Sequence, residues 1–243
     1  MGSVAIIGMG FVGTATAKAL GNHYALTGYD IAWPAEKRDR RAVNKCDLAF
    51  VCVPTEGGAD GHLQADALDD VLSWVDTPII AIRSTIPLVW KPPKRKNIVL
   101  CPELIGETSF HPFRDERAVP FALAGCRPGD EIAAQQVLDL WKPVLGPEKK
   151  YYLTTWEVAS KVKYGSNCWL SMKIAWMNEF LSRCERPDEV RNILCDLPWI
   201  ASYATLPLGP IGGKCLPKDM RSWQATYGGP LAKAILRYVE PEI

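Results

Sequence analysis

The sequence lacks any apolar run long enough to cross a bilayer, which excludes a helical membrane protein. Eight cysteines stand singly at 46, 52, 101, 126, 168, 184, 195 and 215. None forms a Cys-x-x-Cys pair, so zinc-ribbon and thioredoxin-type readings have no support, and no metal site is expected. Charge of one sign is also missing: 28 basic residues face 27 acidic ones, a net +1. No basic stripe interleaved with aromatics occurs, so a nucleic-acid partner is not expected. Repeats and low-complexity segments are absent. The first apolar segment is expected to be a strand and not a signal peptide. Reduced thiols in a cytoplasm are then the default. What is present is ordinary for a globular protein: 243 residues, 48% apolar and 23% charged, enough for one large or two modest domains.

Ser3-Val4-Ala5-Ile6-Ile7 runs directly into Gly8-Met9-Gly10-Phe11-Val12-Gly13 and then into a helix-forming segment ending at Leu20. This is G-x-G-x-x-G in the strand–turn–helix setting that gives it meaning. The first glycine permits a tight turn, the second admits a pyrophosphate to backbone N–H groups, and the third lets helix and strand pack closely. A second strand, Tyr24–Tyr29, ends at Asp30, where a carboxylate can accept from a ribose 2′-hydroxyl. Its charge repels a 2′-phosphate and favours NAD over NADP. Lys37, Arg38, Arg40 and Arg41 come next and pull the other way, or form a solvated face.

The alternation continues. Strands are expected at Leu48–Val53, Pro78–Ile82 and Asn97–Leu100, with Phe121–Ala124 as the last, and helices at Asp66–Val75 and Asp130–Leu140. The pattern predicts an α/β fold: an N-terminal Rossmann doubly wound parallel sheet, residues 1–152, followed by a small helical domain, residues 153–243, joined by a long connecting helix. Ligands of such sheets bind beyond the carboxyl ends of the strands. Thr55, Thr85 and Glu103 follow strand ends and are placed to share one crevice.

Thr154 or Thr155 is placed to cap the connecting helix, Trp156 to about Arg183, which contains no proline. Ser160, Lys163, Asn167, Ser171 and Asn178 trace one side of it, and Val162, Trp169, Met172 and Trp176 another. Lys163 and Asn167 are four apart and neighbour each other. Farther on comes Gly212-Gly213-Lys214-Cys215-Leu216-Pro217-Lys218-Asp219. Nearby lysines favour thiolate over thiol, and Asp219 shares the face of Cys215 if the segment is helical. Read alone, Cys215 is either a covalent catalyst or a structural thiol beside a Gly-Pro loop.

Taken in order, these segments resemble the UDP-glucose/GDP-mannose dehydrogenase family. The resemblance rests on the glycine-rich loop, Val51-Cys52-Val53-Pro54-Thr55, Ser84-Thr85-Ile86-Pro87, Pro102-Glu103-Leu104-Ile105-Gly106-Glu107, Lys163-Tyr164-Gly165-Ser166-Asn167 and the Cys215 segment. It spans roughly residues 3–225. It implies a four-electron oxidation of a sugar-nucleotide primary alcohol to a carboxylate, with two NAD. Lys163 and Asn167 would stabilise charge on the reacting oxygen. Asp219, through a water, would take part in proton removal. Cys215 would carry a thiohemiacetal and then a thioester, and Glu103 would help activate the hydrolytic water. Thr85 and Glu107 would position cofactor and substrate. Val53, Pro54, Thr55, Ser84 and Lys218 would join Gly8 to Gly13 and Asp30 around NAD. Glu103, Leu104, Glu107, Lys163, Asn167, Gly212 and Gly213 would line the substrate.

Three departures from the family accompany the match. The chain ends 28 residues past Cys215, where family members continue into a second Rossmann-like domain for the nucleotide. The resemblance therefore implies a truncated form lacking that domain. Lys214 stands where a small residue is usual, and Leu208-Gly209-Pro210-Ile211 replaces a more glycine-rich approach. The family also implies a homodimer through the helical part, which is rich in tryptophan (156, 169, 176, 199, 223). Two other readings stay open. One is a two-electron dehydrogenase of the β-hydroxyacid type, which uses a lysine and asparagine spaced like Lys163 and Asn167 and needs no cysteine. The other is a non-catalytic module that retains NAD or sugar-nucleotide affinity.

Overall fold

The computed structural model describes residues 2–95, 97–108, 111, 113–198, 200 and 209–239; Trp199 and Leu208 lie outside them. Seven strands form one sheet: β1 (Ser3–Ile7), β2 (Ala25–Tyr29), β3 (Leu48–Val51), β4 (Ile79–Ile82), β5 (Ile98–Leu100), β6 (Phe121–Cys126) and β7 (Lys150–Thr155), in the order β2-β1-β3-β4-β5-β6-β7. The first five are parallel. The cores of β1, β3, β4 and β5 are continuous apolar runs, because helices cover both faces and bury the side chains on each, whereas β2 at the edge is only partly buried. Val4, Leu48, Phe50, Ile80, Ile82 and Ile98 are all fully buried, each contributing about 1.5–3 kcal/mol by leaving water. The sheet is sandwiched between α1 (Phe11–Leu20) and α4 (Glu131–Leu145) on one face, and α2 (Arg40–Val43) and α3 (Asp66–Trp74) on the other.

Register positions the crevice. Ile7 pairs with Tyr29 and Val51, Val51 with Ile82, and Ile82 with Leu100. Gly8, Asp30, Cys52, Arg83 and Cys101, each one residue past its strand, therefore emerge in one row at the carboxyl edge.

The sheet departs from the sequence expectation at its far edge. β6 runs antiparallel to β5, meeting it at Leu100 and Gly125. The intervening segment holds one short 3₁₀ turn, Glu116–Ala118, and no crossover helix among its described residues; a parallel return would need such a crossover. β6 is also not the last strand, for β7 pairs with it in parallel. The apolar signal is weak there because β7 is an edge strand, with Tyr152 and Leu153 exposed. The expected boundary after residue 152 falls inside β7.

Thr155 ends β7 and caps α5 (Trp156–Leu181), its side chain accepting from the Val158 N–H. Next come α6 (Pro187–Cys195), α7 (Leu216–Tyr227) and α8 (Pro230–Ile235). Pro217 in the first turn of α7 loses no helical bond, since its N–H would have been unpartnered there. Met172, Ala175, Ile211, Met220, Trp223 and Ile235 make a small second core between α5, α7 and α8. α5 inverts ordinary amphipathicity. Its polar line Ser160, Lys163, Asn167 and Ser171 is buried, whereas Trp169 and Trp176 are 57% and 61% exposed.

Candidate active site

The glycine-rich loop has the shape its sequence requires. Gly8 sits at φ +86°, and a Cβ there would lie 2.6 Å from the Cys52 carbonyl oxygen. A Cβ on Gly13 would come within 1.9 Å of the Gly8 oxygen, so α1 packs as closely as a missing side chain allows. A Cβ on Gly10, at the α1 N-terminus, would meet nothing within 4 Å. That open face beside unpartnered helical N–H groups fits a pyrophosphate. Phe11 and Val12 begin the helix. Asp30 accepts from the Met9 N–H (2.6 Å) through one carboxylate oxygen and from the Ala32 N–H (2.8 Å) through the other. The acid thus fastens the loop to the end of β2. Arg40 spans Tyr29 and Trp74, donating to the Tyr29 hydroxyl and lying 4.5 Å from the Trp74 ring, so it is anchored by aromatics.

The next two strand ends are stitched together. Ser84 Oγ donates to the Val53 carbonyl at 2.6 Å, and Thr55 Oγ1 donates to the Thr85 carbonyl at 2.8 Å. Thr55, Ser84 and Thr85 are buried, while Pro54 is exposed. Beyond β5, Glu103 is buried and reaches Lys163 on α5, Nζ to Oε1, at 2.6 Å. Its other oxygen, Oε2, is buried without a hydrogen-bond partner. One turn along α5, Asn167 Nδ2 donates to Asp219 Oδ2 on α7 at 2.6 Å, and Lys218 Nζ reaches Asp219 Oδ1 at 2.7 Å. Asp219 is completely buried. Cys215 is the N-cap residue of α7, one turn before Asp219. Gly213 before it takes φ +80°, which places the turn without a Cβ penalty. Gly212 and Leu104 are half-buried at the margin. Glu107 and Lys214 are exposed and stand outside the buried cluster.

The thiol is not ionised in the way neighbouring lysines alone suggest. The Cys215 residue opens to solvent on one side, yet protein crowds the rest of it and thins its hydration. That desolvation pushes the Cys215 pKa up. Lys163 and Lys218 oppose this, Glu103 and Asp219 reinforce it, and the net shift is upward. Each lysine is already neutralised by its own carboxylate, so little positive potential is left for the sulfur. Burial also works against the charge on Lys163, but Glu103, Asp219 and Cys215 outweigh it and raise its pKa. The resting site therefore holds a neutral thiol beside an ammonium–carboxylate pair.

Several residues here carry no functional mark in the sequence. Arg83 is buried and pairs with Glu116 at 2.5 Å, beneath the strand ends. The loop from Gly57 to Leu63 closes on itself through an antiparallel bridge and leans on α7, with His62 Nδ1 3.4 Å from Thr226 Oγ1. Tyr164 and Ser222 form a buried hydroxyl pair. No local motif reveals any of these, because each acquires its partner only through folding.

The profile of the UDP-glucose/GDP-mannose dehydrogenase family, central domain, matches residues 157–234, the stretch that carries Lys163, Asn167, Cys215 and Asp219. That stretch of the chain is similar to the central domain of these dehydrogenases. The UDP-N-acetyl-D-mannosamine dehydrogenase of Methanococcus vannielii is 27% identical over 269 aligned positions, which cover 89% of this chain and 60% of that protein. A UDP-glucose dehydrogenase from Pyrobaculum islandicum superposes with a TM-score of 0.77 at 21% identity, covering 98% of this chain and 68% of the other. A 3-hydroxyisobutyrate dehydrogenase from Mycobacterium tuberculosis superposes at 0.63 and 17% identity, covering 98% and 92%. The latter two establish the shared fold. The chain spans about half to three-fifths of the length of the curated relatives it matches. Members of the UDP-glucose/GDP-mannose dehydrogenase family are NAD-dependent, and the open glycine cradle closed by Asp30 fits that cofactor.

Proposed function

We propose that this chain is an NAD-dependent sugar-nucleotide dehydrogenase, of the UDP-glucose 6-dehydrogenase type, that oxidises a primary alcohol to a carboxylate through Cys215. The observation that carries the reading is the meeting of Lys163, Asn167, Asp219 and Cys215, from two helices, with Glu103 at the carboxyl edge of the sheet.

Residues of the glycine-rich loop, Asp30, Val53 to Thr55, Ser84, Thr85 and Lys218 would hold NAD, with Glu107 at the rim. When bound, the nicotinamide accepts hydride. Lys163 and Asn167 supply N–H donors to the substrate oxygen as it loses its proton toward Asp219 through a water. The Cys215 sulfur adds to the resulting aldehyde carbon, and its proton passes to the carbonyl oxygen, giving a thiohemiacetal. Loss of a second hydride to a second NAD, and of the hydroxyl proton to water, would leave a Cys215 thioester. Water, activated by Glu103, then breaks the C–S bond, releasing the carboxylate and returning the thiol. A neutral resting thiol suits this order, because it spares the nucleophile until a carbonyl is present. Leu104, Gly212 and Gly213 border the space where the sugar would lie. In this reading residues 1–152 bind the cofactor and residues 153–243 carry the cysteine. The eight free cysteines fit a cytoplasmic setting. Among the described residues no helix is long and apolar enough to cross a membrane.

The test is NADH production with a panel of sugar nucleotides. Two NADH per substrate consumed is expected; none from any sugar nucleotide would sink the proposal. A second reading, a two-electron dehydrogenase of the β-hydroxyacid type, is favoured by one observation: the chain covers 92% of the 3-hydroxyisobutyrate dehydrogenase fold. One NADH per substrate would select it.

The exposed stripe Val158, Val162, Trp169 and Trp176 on α5 supports a homodimer, since aromatic side chains without a cover are enriched at interfaces. The double substitution Trp169→Glu and Trp176→Glu is expected to convert a dimer into a monomer in light scattering. A wild-type chain that is monomeric at micromolar concentration would refute the assignment.

A further inference from the structure

Tyr164 and Ser222 have no role in the proposed chemistry, yet both are buried polar side chains, 0% and 1% exposed. The Tyr164 hydroxyl donates to the Ile86 carbonyl at 3.0 Å. That uses its only proton. The 3.1 Å contact between Tyr164 Oη and Ser222 Oγ is then donated by Ser222. The relay has a direction, from α7 to α5 to the loop after β4.

Each member sits beside a residue of the site. Ile86 directly follows Thr85. Tyr164 directly follows Lys163. Ser222 lies three residues beyond Asp219 on α7, on the same side of the helix, and like Asp219 it is buried. The two hydroxyls therefore join three segments that must be in register for the site to exist: the cofactor-side strand end, the lysine helix and the cysteine helix. Other contacts of α7 do not do this. The 57–63 loop runs along the outside of α7, with Gly57 beside Lys218, Gly61 beside Arg221 and Ala225, and His62 beside Thr226, and Lys218 and Asn167 bond Asp219 itself.

We propose that Tyr164 and Ser222 act as a positioning pair, setting the depth of α7, and so of Asp219 and Cys215, against the strand end that carries Thr85. The proposal rests on the reading of Cys215 as the nucleophile. A phenylalanine at 164 would fill the same space but leave the Ile86 carbonyl and the Ser222 hydroxyl without these partners. Removing Ser222 alone would delete one of the two bonds. Because both changes break the same relay, their effects overlap and do not add.

The experiment uses the full chain with Tyr164→Phe, Ser222→Ala and the double variant. Two quantities are read: the rate of Cys215 alkylation by iodoacetamide, followed on the Cys215 peptide by mass spectrometry, and kcat and KM for NAD. Ser222→Ala is expected to speed Cys215 alkylation about fivefold, the factor for one lost hydrogen bond, and Tyr164→Phe, which loses both bonds, by at least as much. Each should lower kcat about tenfold with the KM for NAD near wild type, and the double variant should match Tyr164→Phe. Unchanged alkylation and kcat in both single variants would overturn the proposal. So would strictly additive effects in the double variant, since independent packing defects add. If Tyr164→Phe does not fold, Ser222→Ala decides alone, as it removes one bond and no ring. If the wild-type chain turns over no sugar nucleotide, the proposed function fails, while the alkylation rates still test the pair.

Discussion

Cys215→Ala is expected to abolish acid formation, lowering it by a factor on the order of 10³ or more, the scale seen when a covalent nucleophile is removed. NAD affinity and thermal stability should stay near wild type, because Cys215 is exposed and its side chain makes no cap bond at the start of α7. The decisive measurement is NADH released per sugar nucleotide in a single turnover. The wild type should release two and the variant at most one. Two NADH from both would remove Cys215 from the mechanism, and one NADH from both would select the two-electron reading. The pH dependence carries the same information. Desolvation and the two carboxylates raise the thiol pKa above its ordinary value of 9.0. Thiolate is then the minor form at neutral pH, and its fraction grows about tenfold per pH unit below that pKa. Any step limited by the free thiolate should rise with pH through neutrality. Lys163 does not cancel this rise, because its own pKa is shifted upward and it stays protonated across the range. A flat profile from about pH 7 to 9 would mean that thiol ionisation does not limit the rate.

Lys163→Met is expected to have the second large effect, and it acts on stability and chemistry together. The Lys163–Glu103 pair is 2.6 Å long, with both side chains less than a tenth exposed. Removing the lysine leaves the Glu103 carboxylate buried without its counter-charge. Breaking such a pair from one side costs about 3–5 kcal/mol. Turnover should fall roughly 10²–10³-fold, the cost of losing one donor to a developing oxyanion. Urea unfolding separates the two consequences. The double variant Lys163→Met with Glu103→Gln should regain most of the lost stability, because no charge is left buried, yet remain inactive. A stable, active Lys163→Met protein would show that the ammonium is neither a structural counter-ion nor a donor to substrate.

Much of the site is legible in the sequence because its residues lie in short motifs whose spacing is set by local structure. Gly8, Gly10, Gly13 and Asp30 are fixed by the turn after β1 and the end of β2. Lys163 and Asn167 are fixed by one turn of α5, and Cys215 and Asp219 by one turn of α7. Helix period and strand alternation operate over a few residues, so a single chain reveals them. The sequence also ends the long helix within two residues of its observed terminus at Leu181. Thr155 supplies the cap, and no proline breaks the run from Trp156 onward.

The hidden features depend on neighbours far away in the chain. β7 has too little burial to leave an apolar signature, and the direction of β6 is decided by the absence of a crossover helix among the described residues. The thiol of Cys215 offers the clearest case. Sequence proximity to Lys214 and Lys218 suggests a lowered pKa. In the fold, Lys163 and Lys218 are paired with Glu103 and Asp219, Lys214 is exposed, and desolvation prevails.

The sequence by itself determined which chemical groups the protein owns and their local spacing: a glycine-rich loop, a lysine and asparagine on one helical turn, and a cysteine and aspartate on another. Only the tertiary structure decided what those groups are to one another. It paired each lysine of the cluster with a carboxylate, turned the polar side of α5 inward and left Trp169 and Trp176 outside, and bound α5, α7 and the loop after β4 through two hydroxyls. Spacing follows from backbone geometry over a few residues. Charge state and position follow from desolvation and from partners 52 to 78 residues away, which no local pattern encodes.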